Sequence, residues 1–134
     1  MTFLCAYEVK NGELIVRSTK NGEIFWKGKP KGYDVTQVIS IEGSNDCIVL
    51  LEWRKTALEN QKNLLRLDPH GNIVWEVGDP PKKVAYGPER GIEIESYTGI
   101  TSIEKSQLNA FAYFGFSDHI DIETGAIIKS EFVK

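Results

Sequence analysis

The chain has 134 residues, of which 41% are apolar and 26% charged, with a net charge of −3. That length fits one domain over residues 1–134, able to bury about two-thirds of its unfolded surface. An ordinary apolar balance excludes disorder, and an acidic one argues against direct binding of nucleic acid or of an anionic membrane.

Taken in chain order, residues 2–9, 14–18 and 23–27 read as strands, rich in alternating Val, Ile, Phe, Tyr and Thr. Lys10-Asn11-Gly12-Glu13 and Lys20-Asn21-Gly22-Glu23 separate them, the same pattern ten residues apart. Asn-Gly between alternating segments predicts type I′ turns, because both central positions need positive φ. Strands follow at 36–41, 47–53, 63–67 and 72–77. Residues 55–62 are short and polar, either one turn of helix or a long hairpin loop. Asp68-Pro69-His70-Gly71 fits a turn in which Asp accepts from the backbone and Pro presets φ. Residues 78–91, with Pro80, Pro81 and Pro88, read as a surface connection between sheets. The last strands are expected at 99–103, 108–114, 118–122 and 126–132. The fold class is therefore all-β, with about eleven antiparallel strands.

The longest apolar runs, at 48–51 and 110–114, fall far short of a spanning helix, which needs roughly 20 apolar residues. The opening Met1-Thr2-Phe3-Leu4-Cys5-Ala6-Tyr7-Glu8 lacks the basic and apolar regions of an export signal, so the cytoplasm is the expected location. Cys5 and Cys47 sit in apolar runs and are expected as buried free thiols.

The turn-and-strand units repeat. Asn21-Gly22-Glu23-Ile24-Phe25-Trp26, His70-Gly71-Asn72-Ile73-Val74-Trp75 and Thr124-Gly125-Ala126-Ile127-Ile128-Lys129 align on glycines 49 and 54 residues apart. Each glycine is followed two positions on by isoleucine, and Trp26 and Trp75 stand at the fourth position. Pro30 and Pro80 follow the first two units. The upstream pairs also match, Val38–Ile41 with Cys47–Leu51 against Ile100–Ile103 with Leu108–Tyr113. A period near 50 with four strands per unit is the pattern of propeller blades. The unit from Leu65 to Trp75 resembles the end of a blade in PQQ-type and related bacterial β-propellers, which place an aspartate, a turn glycine and a closing tryptophan there. Asp121, Thr124 and Gly125 follow that pattern loosely. Lys129 replaces the third tryptophan, and Thr19 replaces the first aspartate. The resemblance implies two to three four-stranded blades in an incomplete ring, the first lacking a strand. It also implies end faces left open to a partner or a second copy, hence a possible homodimer. A quinone site would need a complete ring, so no cofactor is expected.

Catalytic chemistry finds no set of residues. His70 lies in a turn and His119 at a strand start, no serine occupies a nucleophile elbow, and no phosphate-binding glycine pattern occurs. Asp118, Asp121 and Glu123 lie close together, but a solvent-facing strand edge explains them without a metal. The chain is expected not to be an enzyme.

Charge is unevenly distributed. Lys20, Lys27, Lys29 and Lys31 make the first third basic, while Glu89, Glu93, Glu95, Glu104, Asp118, Asp121 and Glu123 make the second half acidic. Glu93 and Glu95 alternate in Gly91-Ile92-Glu93-Ile94-Glu95-Ser96-Tyr97 and would share one side of an extended segment. Glu93, Glu95, Asp118 and Asp121 are accordingly the expected contacts for a basic partner. In size, acidity and lack of an export signal the chain resembles bacterial immunity proteins, including those of contact-dependent growth inhibition systems. That resemblance implies a protein that covers the active site of a toxin, such as a basic nuclease, with acidic groups. The alternative is a small propeller-like scaffold that binds peptides or serves assembly through Trp53, Tyr97, Tyr113 and Phe116.

Overall fold

The computed structural model describes residues 5–81, 89–90 and 96–133. Among them are eleven strands in three antiparallel sheets. The first sheet holds β1 (Cys5–Lys10), β2 (Glu13–Ser18) and β3 (Ile24–Gly28). The second holds β4 (Val35–Ser40), β5 (Cys47–Leu51), β6 (Leu64–Leu67) and β7 (Ile73–Glu76). The third holds β8 (Tyr97–Ile100), β9 (Gln107–Ala112), β10 (Phe116–Asp121) and β11 (Ile127–Phe132). Each sheet is a meander with strands in chain order, and the three do not close into a ring. The all-β reading holds, with blades of three, four and four strands.

Turn chemistry sets these hairpins. Asn11 and Gly12 both have positive φ, 52° and 79°, as a type I′ turn requires. The second Asn-Gly pair differs. Only Gly22 has positive φ, its N–H donates to the Ser18 carbonyl at 2.9 Å, and the Asn21 side chain accepts from the Glu23 N–H. Four residues between Ser18 and Glu23, against two between Lys10 and Glu13, give a wider turn. In the β6–β7 turn, Asp68 Oδ1 accepts from the N–H groups of His70 and Asn72, both at 2.9 Å. Burial works against the Asp68 charge, but these bonds and one from the Asn72 side chain outweigh it and hold the carboxyl below its ordinary value.

Strand β5 stops at Leu51, two residues before the expected end. Glu52 is the reason. Its carboxylate accepts from the backbone N–H groups of Arg54 and Lys55, at 2.8 and 2.7 Å, and so caps α1 (Trp53–Leu58).

Two apolar clusters fill the spaces between blades. Cys5, Leu14, Val16 and Val49, Leu65, Leu67 meet between the first and second blades. Ile48, Leu50, Leu64, Trp75 and Leu108, Ala110, Phe116, Ile120 meet between the second and third. The central blade is thus apolar on both faces, which is why β5 and β6 read as nearly continuous apolar runs rather than alternations. The outer blades bury mainly the face turned to the central blade, although Ile15 is also buried on the opposite face of the first.

Their outer faces carry charged side chains, beside Ile15 and Ile24 on the first blade and Phe111 on the third. On the first blade, register places Glu8, Arg17 and Lys27 outward, with Arg17 Nε 3.2 Å from Glu8. On the third, Asn109, His119, Lys129 and Glu131 point outward, and Glu131 pairs with Lys129 at 3.0 Å and His119 at 3.2 Å. The hydrogen bond and charge of Lys129, with His119 adding to them, hold the Glu131 carboxyl below its ordinary value. The end faces are open, as expected of an incomplete ring, and these charged side chains stand on them.

Candidate functional site

The meander order brings the β5–β6 connection and the β9–β10 turn to the same rim of neighbouring blades. Trp53, the first residue of α1, stacks on Tyr113 with ring centroids 4.9 Å apart and planes 18° from parallel. Phe114 meets Tyr113 edge-on at 5.3 Å. The Arg54 guanidinium lies 5.3 Å from the Trp53 ring centroid. Tyr113 is 63% exposed, Phe114 67% and Leu58, at the end of the same helix, 86%. Gly115, at φ 100°, lets the chain turn back after the two aromatics.

The helix is held firmly beneath them. Thr56 is fully buried, and its hydroxyl donates to the Glu52 and Trp53 carbonyls and lies 2.9 Å from Ser96 Oγ. Asn63, just after the helix, is also fully buried. Its amide donates to the carbonyls of Leu51 and Tyr97, and its oxygen accepts from the Tyr97 N–H at 2.9 Å. One side chain thus ties the central blade to the first strand of the next. An exposed aromatic rim on a fixed base has little order left to gain on any contact.

Of the aromatic residues expected on a contact surface, Trp53 and Tyr113 come together on this rim. Tyr97 and Phe116 are corrected to core positions, each 2% exposed, because both fall on the apolar phase of their strands. Phe114 and Arg54 complete the rim and were not foreseen. Adjacent aromatics in the run Phe111-Ala112-Tyr113-Phe114 were the available signal, and they read instead as strand.

The acidic candidates do not form one surface among the described residues. Glu93 and Glu95 lie outside the described residues. Asp121 is half-buried, and its Oδ1 accepts from the Glu123 N–H at 2.9 Å, a turn role. Asp118 is corrected outright: it is fully buried. Arg90 grips it with two hydrogen bonds of 2.7 and 3.0 Å, and Tyr97 Oη and Ser130 Oγ donate to it, both at 2.6 Å. The Arg90 guanidinium also lies 4.3 Å from the Phe116 ring centroid. Each carboxylate oxygen accepts two hydrogen bonds, so the charge is spent inside the protein. Strand phase explains the placement. Phe116, Asp118 and Ile120 share the face that packs on the central blade.

His70 is exposed, edge-on to Phe25 at 5.9 Å, and His119 belongs to the outer face of the third blade. Among the described residues no three His, Cys, Asp or Glu side chains are grouped to hold a metal. No helix among them is long and apolar enough to cross a membrane. Cys5 and Cys47 are buried and unbonded. Burial foremost, with the Asp46 charge next, pushes the Cys47 thiol up to about 12.

Residues 31–132 match the family described as "Domain of unknown function (DUF7957)". The chain belongs to the DUF7957 family. The match starts after β3 and takes in β4 to β11, the two four-stranded blades that carry the aromatic rim. No curated protein matches the sequence. Solved structures do match, and they share the architecture. The β-propeller domain of Cps50 (Swd1) from Myceliophteria thermophila is 16% identical with a TM-score of 0.67, covering 98% of this chain and 39% of that one. The computationally designed Ika8 protein is 12% identical with a TM-score of 0.62, covering 100% and 35%. BamB from Moraxella catarrhalis is 16% identical with a TM-score of 0.59, covering 93% and 31%. This DUF7957 chain spans about a third of the length of these three proteins, and at such identities the likeness is one of fold, that of propeller blades.

Proposed function

We propose that this chain is a non-enzymatic protein-binding module whose partner docks on the rim formed by α1 and the β9–β10 turn. The observation that carries the reading is the stack of Trp53 on Tyr113, continued by Phe114 and Arg54, two of these rings being mostly exposed. Trp, Tyr and Arg are the residues in which binding energy concentrates at protein interfaces. The burial of Asp118 supports the same reading, since its carboxylate already accepts four hydrogen bonds from within the chain.

The finer reading is an immunity protein that neutralises a basic toxin domain. Its support is the net charge of −3, which would steer a cationic partner. Under that reading Glu93, Glu95 and Asp121 are the acidic contacts, while buried Asp118 is left out of the set.

The test is affinity capture from the source cells with three baits: the wild type, a rim variant (Tyr113→Ser with Phe114→Ser), and an end-face variant (Lys27→Ala). A protein held stoichiometrically by the wild type and the end-face variant, and lost by the rim variant, is the expected result. A stoichiometric partner held equally by all three sinks the rim assignment. If the captured protein is basic and toxic when expressed alone, the immunity reading stands. Capture of a harmless acidic or neutral protein removes it and leaves the scaffold reading.

A further inference from the structure

The contact between blades contains one element that the sequence repeats twice and then changes. Trp26 covers Gly71, and Trp75 covers Gly125. In each case the tryptophan stands four residues after its own blade's turn glycine, and the glycine it covers belongs to the next blade. The series breaks at both ends of the arc. Gly22 has the same left-handed backbone, φ +76°, yet no described atom lies within 4 Å of where its β-carbon would be. Lys129 stands four residues after Gly125, where a tryptophan would come next. Register confirms the equivalence: Trp26 lies opposite Val16, Trp75 opposite Arg66 and Lys129 opposite His119.

A second position changes with it. Leu67 and Ile120 lie opposite the isoleucine two residues after the turn glycine, and both are fully buried in the docks between blades. The first blade carries Arg17 there, opposite Ile24. Its guanidinium donates to the Gly22 carbonyl at 3.3 Å. Two copies joined by repeating the internal dock would lay Lys129 of one over Gly22 of the other. The ammonium would arrive beside the Arg17 guanidinium and leave its partner Glu131, now 3.0 Å away. Like charges brought together as water is expelled oppose the contact.

We infer that Lys129 and Arg17 terminate blade stacking, so that the chain remains a three-bladed arc and does not join a second copy head to tail. A head-to-tail contact would close a two-fold ring or run on as a filament, and these two cations prevent both. This concerns the ends of the arc and stands apart from the rim reading. It also turns the homodimer expected from the sequence into a dimer that the end faces disfavour.

Sedimentation of the full chain over a wide concentration range tests it. The wild type is expected to keep the mass of one chain throughout. The double variant Arg17→Leu with Lys129→Trp is expected to shift to twice that mass or more. Adding Gly22→Asn should return it to one chain, because Asn tolerates positive φ while its β-carbon blocks the indole. Lys129→Trp alone, at a side chain 64% exposed, provides a folded variant that should assemble to a smaller extent. A wild type that dimerises and loses the dimer on Gly22→Asn overturns the inference. So does a folded double variant that stays a single chain.

Discussion

The indole of Trp26 lies against Gly71 of the neighbouring blade, in the space a β-carbon on that glycine would need. Gly71 is therefore constrained twice, by a φ of +80° and by the ring, as is Gly125 under Trp75. Gly22 is constrained only by φ. Replacement by alanine separates the two effects. Left-handed strain costs about 1–2 kcal/mol and overpacking about 1–3 kcal/mol more. Gly71→Ala and Gly125→Ala should each destabilise by roughly 2–5 kcal/mol and Gly22→Ala by roughly 1–2 kcal/mol. Urea unfolding of the three variants checks this, and equal losses at all three sites would mean that the tryptophans do not dock the blades.

The Asp118–Arg90 pair is the most buried charge in the described chain, with side-chain exposures of 0% and 1%. Removing one member leaves the other charge uncompensated in an apolar space. Asp118→Ala should cost about 3–5 kcal/mol, as broken buried pairs do. The double variant Asp118→Leu with Arg90→Met should recover most of that loss, since an apolar replacement carries no desolvation penalty. Denaturation midpoints of the single and double variants decide the matter. A single variant that loses less than about 1 kcal/mol would show that water reaches the pair.

Rim and core aromatics should part company on substitution. Tyr113→Ala and Phe114→Ala remove largely exposed rings, so stability should change by no more than about 0.5 kcal/mol. Phe116→Ala should cost about 3–5 kcal/mol, as deletion of a buried ring does. For the captured partner the order reverses, and Tyr113→Ala should weaken binding by about 2 kcal/mol or more. Calorimetry on the purified pair measures it. Unchanged affinity in the Tyr113 variant would move the contact off this rim.

How far the sequence foretold this depended on where each signal was stored. Strands were legible because alternation and Gly turns are local, so all eleven overlap the expected segments. The three blades were legible because Gly22, Gly71 and Gly125 carry the repeat. Trp53 was read as the end of a strand because the apolar run into it masks the Glu52 cap, whose signal lies in the backbone N–H groups it satisfies. Asp118 was read as a surface acid by its charge, although its phase with Phe116 and Ile120 already pointed inward. Arg90 gave no signal at all. It comes from a Pro- and Gly-rich connection, and only the fold brings it to a carboxylate 28 residues away. The Trp53–Tyr113 stack is likewise a contact between a helix of one blade and a turn of the next, beyond any local pattern.

The two cysteines give a chemical clock for unfolding. Thiolate is the reactive form, and burial raises both thiols above their ordinary value, Cys47 to about 12. Cys47 is fully buried and Cys5 6% exposed. At neutral pH the native chain should give almost no fast reaction with a disulfide reagent, and both thiols should react at once in urea. Cys47 should follow the global unfolding rate. Rapid modification of native Cys47 would show that the first two blades separate locally.

Acid should weaken the β6–β7 turn as Asp68 takes up its proton. Asp68 has its folded pKa below the unfolded one, so its stabilisation is complete above the unfolded value and is lost as pH falls through the folded value. The Glu131 carboxyl follows the same sign through Lys129 and His119, but it lies on an end face where salt screens it. The urea midpoint of the wild type should therefore fall as pH drops through the ordinary carboxylate range and below it. Asp68→Asn keeps a side-chain oxygen to accept from the His70 and Asn72 N–H groups but has no proton to gain. Its midpoint should be lower at neutral pH and flatter across the acid window, and the two curves should converge at the acid end. Parallel curves would place the acid sensitivity elsewhere in the chain.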